Sequence, residues 1–160
     1  MITRIICVGN RYAADDEVGP RTYEILAGRA RPAEVEVVEG GLAGLNLLGL
    51  MEGVGRVVLV DTLAGFTEPG QVVMMDGIEA GLKISSGYGH GNGLGYLLRM
   101  LPTVWEGKLP EIIVIGLEGR ADAQAINRLA ETCLELAVAD QGARTPAGTV
   151  SRGSSHGTSH

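Results

Sequence analysis

With 160 residues, 45% of them apolar and 20% charged, the chain has the size and composition of one globular domain with a single substantial core. A net charge of −6 without a basic stretch argues against nucleic acid as a partner. No apolar run approaches the roughly 20 residues that span a bilayer, and no signal-peptide pattern opens the chain, so no membrane association is expected.

Ile2 to Val8 is an almost unbroken apolar run rich in β-branched residues, the pattern of a buried parallel strand. Val18, Tyr23, Ile25, Leu26 and Ala30 then fall on one helical face over residues 18 to 29. Pro20 is tolerated only in the first turn, so the helix starts near residues 17 to 19, with Asp15, Asp16 and Glu17 at its positive end. Glu34 to Val38 reads as a second strand, closed by Gly40 and Gly41, and the leucines of residues 43 to 52 as a short helix. Arg56 to Val60 is the clearest buried strand and is expected to stop at Asp61. Gln71 to Met75 reads as a strand at the sheet edge, residues 77 to 93 as irregular, and Leu94 to Leu101 as a helix stopped by Pro102. Glu111 to Leu117 is the last strand, and Asp122 is placed to cap a helix carrying Ile126, Leu129, Cys133 and Leu136. Residues 141 to 160 lose all apolar periodicity and read as a disordered tail.

This alternation of strands and helices predicts a three-layer α/β sandwich over residues 1–140, with a mostly parallel twisted sheet flanked by helices, followed by the tail at 141–160. Cys7 falls in a strand and Cys133 in a helix, so both read as buried thiols rather than a disulfide framework, as in a cytoplasmic protein. In such sheets the site lies beyond the carboxyl ends of the strands, near the switch in strand order. The residues there do not suit a nucleotide. Gly9 is followed by Gly19 with no lysine behind it, which matches neither phosphate-binding fingerprint, and three acids at the helix start would repel a pyrophosphate.

The same strand ends supply Asp15 and Asp16, Glu39, Asp61 and Glu118, while His90 lies in the glycine-rich stretch GYGHGNGLG. Two carboxylates from separate strands and an imidazole from a loop have the chemistry of an open metal site for zinc or nickel. Asp16 has an alternative role as a helix cap, and Glu39 and Glu118 read as solvated strand-end charges without a role.

Four blocks, VGN…DDEVGPR at 8–21, EGGLAGLNLL at 39–48, VVLVDTLAG at 57–65 and SSGYGHGNGLGYLL at 85–98, together resemble the [NiFe]-hydrogenase maturation proteases. The resemblance implies a phosphorylase/hydrolase-like α/β fold and an aspartyl-type endopeptidase. Such an enzyme removes the C-terminal extension of a hydrogenase large-subunit precursor after nickel insertion. Its protein partner would be that precursor, which supplies the nickel, and no organic cofactor is implied. The metal-contacting and catalytic positions fall on Asp16, Asp61 and His90, with Asp15 and Glu17 open as alternatives one position away. Gly40 and Gly41 offer backbone that could seat the precursor tail. The chain departs from the family pattern in its longer spacing between Ser86 and His90, and in Gly119-Arg120-Ala121 where Pro-Glu-Ser is common. The competing reading is a non-catalytic α/β module that binds a metal or ligand and cleaves nothing.

Overall fold

The computed structural model describes residues 1–84, 91–119, 122–139 and 150–152. Its strands are β1 (Thr3–Val8), β2 (Val35–Gly41), β3 (Arg56–Leu63), β4 (Val72–Asp76), β5 (Glu111–Glu118) and β6 (Val150–Arg152), and they form one sheet in the order β2-β1-β3-β5-β4-β6. β2, β1, β3 and β5 run parallel, whereas β4 is antiparallel to both β5 and β6. All eight residues of β3 are buried, as expected for a central parallel strand covered on both faces.

Helices α1 (Val18–Ala27) and α4 (Ala123–Val138) cover one face of the sheet. Helices α2 (Gly77–Lys83) and α3 (Gly91–Val104), with a 3-10 helix at Leu45–Met51, cover the other. Alternate residues of β1 and β3 therefore feed two separate cores: Ile5 and Val58 on the α1/α4 side, Ile6 and Leu59 on the α2/α3 side. Asp122 caps α4 as its position predicts, its Oδ1 accepting from the Ala125 N–H at 2.8 Å. Among the described residues, no helix is long and apolar enough to cross a membrane.

The molecule departs from the sequence expectations at five places. β3 continues past Asp61 to Leu63, because β5 pairs with it as far as Leu63 opposite Glu118. Of the stretch 77–93 read as irregular, Gly77–Lys83 is helical and α3 already starts at Gly91, while residues 85–90 lie outside the described residues. Asp76 caps α2 by accepting from the Glu79 N–H at 3.0 Å, and Gly81 lets the helix pack against Leu98 instead of breaking it. Pro102 sits inside α3 rather than stopping it, and the Trp105 N–H closes the last turn on Leu101 O at 2.9 Å. Pro102 forfeits the bond its own nitrogen would make, and the turn closed by Trp105 carries the helix past it. β4 is not an edge, since Val72–Met74 pair with β6. Those partners, Val150–Arg152, belong to the segment expected to be a disordered tail, and sheet hydrogen bonding orders them where side-chain pattern alone shows nothing.

The chain runs from β1 outward to β2 and then returns to β3 on the opposite side of β1. Loops leaving β1 and β3 thus turn to opposite sides, which opens a crevice above these two neighbouring strands.

Candidate active site

Asp16 and Asp61 meet in that crevice. The chain leaving β1 makes a 3-10 turn at Ala14–Asp16 before α1 begins, and Asp61 projects from β3. Both line a cavity of about 200 Å³ whose other walls are Val8, Gly9, Leu42, Ala43 and Gly93. Of the three consecutive acids, Asp16 is the buried one; Asp15 is exposed and Glu17 is the residue preceding α1. Its alternative as a helix cap is not realised. α1 has no side-chain cap, and Asp16 Oδ2 instead accepts from the Asn10 N–H at 3.1 Å. The Asn10 N–H also reaches Asp16 O at 2.9 Å, so the first loop folds back on its own acid.

Two glycines make this closeness possible. Gly9 has φ +147°, and a Cβ there would lie 2.5 Å from Asp16 O. A Cβ at Gly93 would lie 2.2 Å from Ala43 O, so only glycine lets the start of α3 press against the segment that follows β2.

Asp61 is 1% exposed. Its Oδ1 accepts from the Thr62 N–H at 2.7 Å, while its buried Oδ2 has no hydrogen-bond partner among the described residues. Burial pushes the Asp61 carboxyl well above the usual carboxylate range. The Thr62 N–H opposes that shift and the neighbouring Asp16 charge adds to it. A carboxylate held this way is costly until a cation or a proton joins it. The donor set of two carboxylate groups, one with a bare oxygen, therefore fits a bound metal ion. His90 lies outside the described residues; among those described, no three His, Cys, Asp or Glu are grouped closely enough to hold a metal.

A second, larger cleft of about 520 Å³ adjoins the first over the ends of β1 and β2, sharing Gly9 and Leu42 with it. Arg11, Tyr12, Glu39, Gly40 and Gly41 line it. Gly40 forms a bulge in β2, because Glu39 pairs with Cys7 and Gly41 with Val8. Its missing side chain is filled by Ile6 and Leu47, whereas Gly41 faces open space. Arg11 forms ion pairs with Glu39 and with Glu24, which ties the first loop to β2 and α1. Cys7 forms part of the cleft floor, and its thiol is pushed up to about 12 by burial and by the Glu39 charge, so it stays protonated at neutral pH. Both cysteines are free and buried, as their positions predict.

Glu39 is exposed, as read from the sequence, but Glu118 is not. Its carboxylate accepts from the Gly65 N–H at 2.7 Å, the Phe66 N–H at 2.9 Å and the Thr67 N–H at 3.2 Å. It thereby holds the loop that leaves β3 after Asp61. The signal was available: Glu118, like Asp61, is an acid that directly follows an apolar run.

The hydrogenase maturation protease family model matches residues 20–138, well over half of the chain. No curated protein matches the chain by sequence. Among solved structures, the hydrogenase maturating endopeptidase HybD from E. coli is 25% identical, with a TM-score of 0.68, covering 85% of this chain and 89% of its own. An endopeptidase from Escherichia coli solved in solution is also 25% identical, at a TM-score of 0.70 over 85% of this chain and 89% of its own. The [NiFe] hydrogenase maturation protease HybD from Thermococcus kodakarensis shares the fold at 24% identity, with a TM-score of 0.66, over 86% of this chain and 99% of its own. A non-catalytic binding module is thereby set aside: the chain belongs to the hydrogenase maturation protease family and is a peptidase.

Proposed function

We propose that this peptidase removes the C-terminal extension of a [NiFe]-hydrogenase large-subunit precursor, and that it does so by recognising nickel already seated in that precursor. The observation that carries the reading is the bare Oδ2 of Asp61, buried in a cavity that Asp16 also lines. A metal brought by the substrate would complete that acceptor, so binding of a loaded precursor is favoured over an empty one. His90 is the third ligand in this reading. It is supported by Gly93, which stands three residues further along and lines the same cavity.

In this arrangement Asp16 and Asp61 hold the precursor's metal and fix the position of the peptide next to it. The adjoining cleft, with the exposed backbone of Gly41 and the bulge at Gly40, takes the extension itself. Fixing the scissile bond beside a carboxylate contributes through orientation, an effect that can reach several kcal/mol. Attack by water is assisted in this reading either by a carboxylate of the pair acting as base or by polarisation from the precursor's metal. Incubation of purified, nickel-loaded precursor with the protein tests the reading by the mass of the product. Loss of the C-terminal extension with the wild type, and its retention with Asp61→Asn and with His90→Ala, is expected. Cleavage by both variants at the wild-type rate would refute the assignment.

A further inference from the structure

We infer that the extension of the substrate, once it has crossed the cleft, pairs with the outer edge of β2 as an added antiparallel strand; this rests on the precursor-cleaving reading above. β2 is an end strand of the sheet, with β1 on one side and no strand on the other among the described residues. From Glu36 to Gly41 none of its residues is fully buried, whereas every residue of β3 is.

The register with β1 identifies the backbone groups left over. The Thr3 N–H donates to Glu34 O at 2.9 Å, and Thr3 lies opposite Val35. Alternation along the strand then turns the N–H and C=O of Glu36 and Val38 toward β1, and those of Val35, Val37 and Glu39 outward. The first part of this edge is closed by the chain itself. The Val35 N–H donates to Pro32 O at 3.0 Å, and Val35 O accepts from Arg31 Nε at 3.2 Å. The outward backbone groups of Val37 and Glu39 have no such cover among the described residues. An uncovered edge is a template for another extended chain, which is why proteins blunt theirs. Here the cover stops at Val35, and the open part runs from Val37 into Glu39, Gly40 and Gly41, which line the cleft.

The complement of such an edge is the backbone of an extended peptide, and a peptide is what this enzyme cuts. Polarity follows from the position of the cut. β2 runs toward the cleft, and the extension, C-terminal to the scissile bond, runs away from the acid cavity, so the two are antiparallel. With strands about 4.8 Å apart, the path from the cavity above β1 and β3 to a strand beyond β2 is roughly 12 Å, or about four extended residues. The residues after those meet Glu39 first and Val37 two positions later, each exchanging an N–H and a C=O bond.

Val37→Pro removes an outward N–H without touching the ladder to β1, and its ring stands where the added strand would lie. The test uses nickel-loaded precursor with its full extension, and the same precursor trimmed to about three extension residues, too few to reach the edge. With the full extension Val37→Pro should raise KM at least tenfold, and with the trimmed one variant and wild type should agree within twofold. An equal rise for both substrates, or no rise for either, overturns the pairing but leaves the cleavage reading intact. Hydrogen exchange on the wild type with an excess of the free extension peptide requires neither the variant nor cleavage. Exchange should slow at least tenfold at the Val37 and Glu39 amides, and unchanged exchange there overturns the pairing. If the wild type leaves the precursor uncut, the cleavage reading fails and this exchange measurement alone decides the pairing. A wild-type dimer in light scattering that Val37→Pro converts to monomer also overturns it, in favour of β2 pairing with a second copy.

Discussion

Replacing Asp61 by Asn should make the metal-free protein more stable while abolishing its function. The carboxyl is almost wholly buried, and one oxygen has no partner among the described residues. An unsatisfied buried acceptor costs about 1–3 kcal/mol, more when charged. The substituted carboxamide keeps the acceptor for the Thr62 N–H and turns repulsion by Asp16 into attraction toward an amide donor. The gain at neutral pH is therefore about 1–3 kcal/mol, which for a chain of this size is about 2–4 °C in Tm per kcal/mol. The pH dependence gives the sharper check. The folded-state pKa of Asp61 is raised, so the folded protein holds this proton where the unfolded chain has released it. The wild-type penalty is consequently absent below the ordinary aspartate range, grows as pH rises toward the raised folded value and is fully present above it. Melting curves of both proteins in chelator from about pH 3.5 to about pH 8, spanning the ordinary aspartate range and the region above it, should show a Tm difference near zero at the acid end that widens in favour of Asp61→Asn. A difference that does not change with pH, or a less stable variant at neutral pH, would sink the reasoning.

Two further outcomes follow from the architecture around the site. Glu118→Ala removes the carboxylate from three part-buried hydrogen bonds and should cost about 1–3 kcal/mol. Denaturant titration would show that loss, and hydrogen exchange should show faster exchange at Gly65, Phe66 and Thr67; unchanged exchange there would rule out the clamp. Gly93→Ala forces backbone apart at Ala43 and should lower Tm by about 10 °C or more (about 3 kcal/mol or above). Gly41→Ala, with open space but φ +70°, should cost only about 1–2 kcal/mol. Similar Tm losses from the two glycine variants would contradict the packing described here.

Much of the fold is legible in the sequence because its signals are local. An apolar β-branched run such as Val57-Val58-Leu59-Val60 fits a strand buried on both faces, and Asp122 before an amphipathic run fits a cap, and both are realised. The same logic picks out Asp61, a charge that an apolar strand would not carry without use. Glycine defeats it at α2, where Gly77 and Gly81 read as breakers. Only the approach of Ile112 and Leu98, distant in sequence, shows that they are packing positions.

What the chain determines by itself, then, is the succession of elements and the residue types at the strand ends, since periodicity and capping act within a few residues. The tertiary structure alone decides which acid counts. It turns Asp16 rather than Asp15 into the cavity beside Asp61, folds the first loop back through Asn10, and buries Glu118 beneath the loop after β3. The strand order decides these outcomes, because β1 and β3 become neighbours only after the chain has passed through β2 on the far side of β1. Burial, in turn, is set by what packs on a residue from far along the chain.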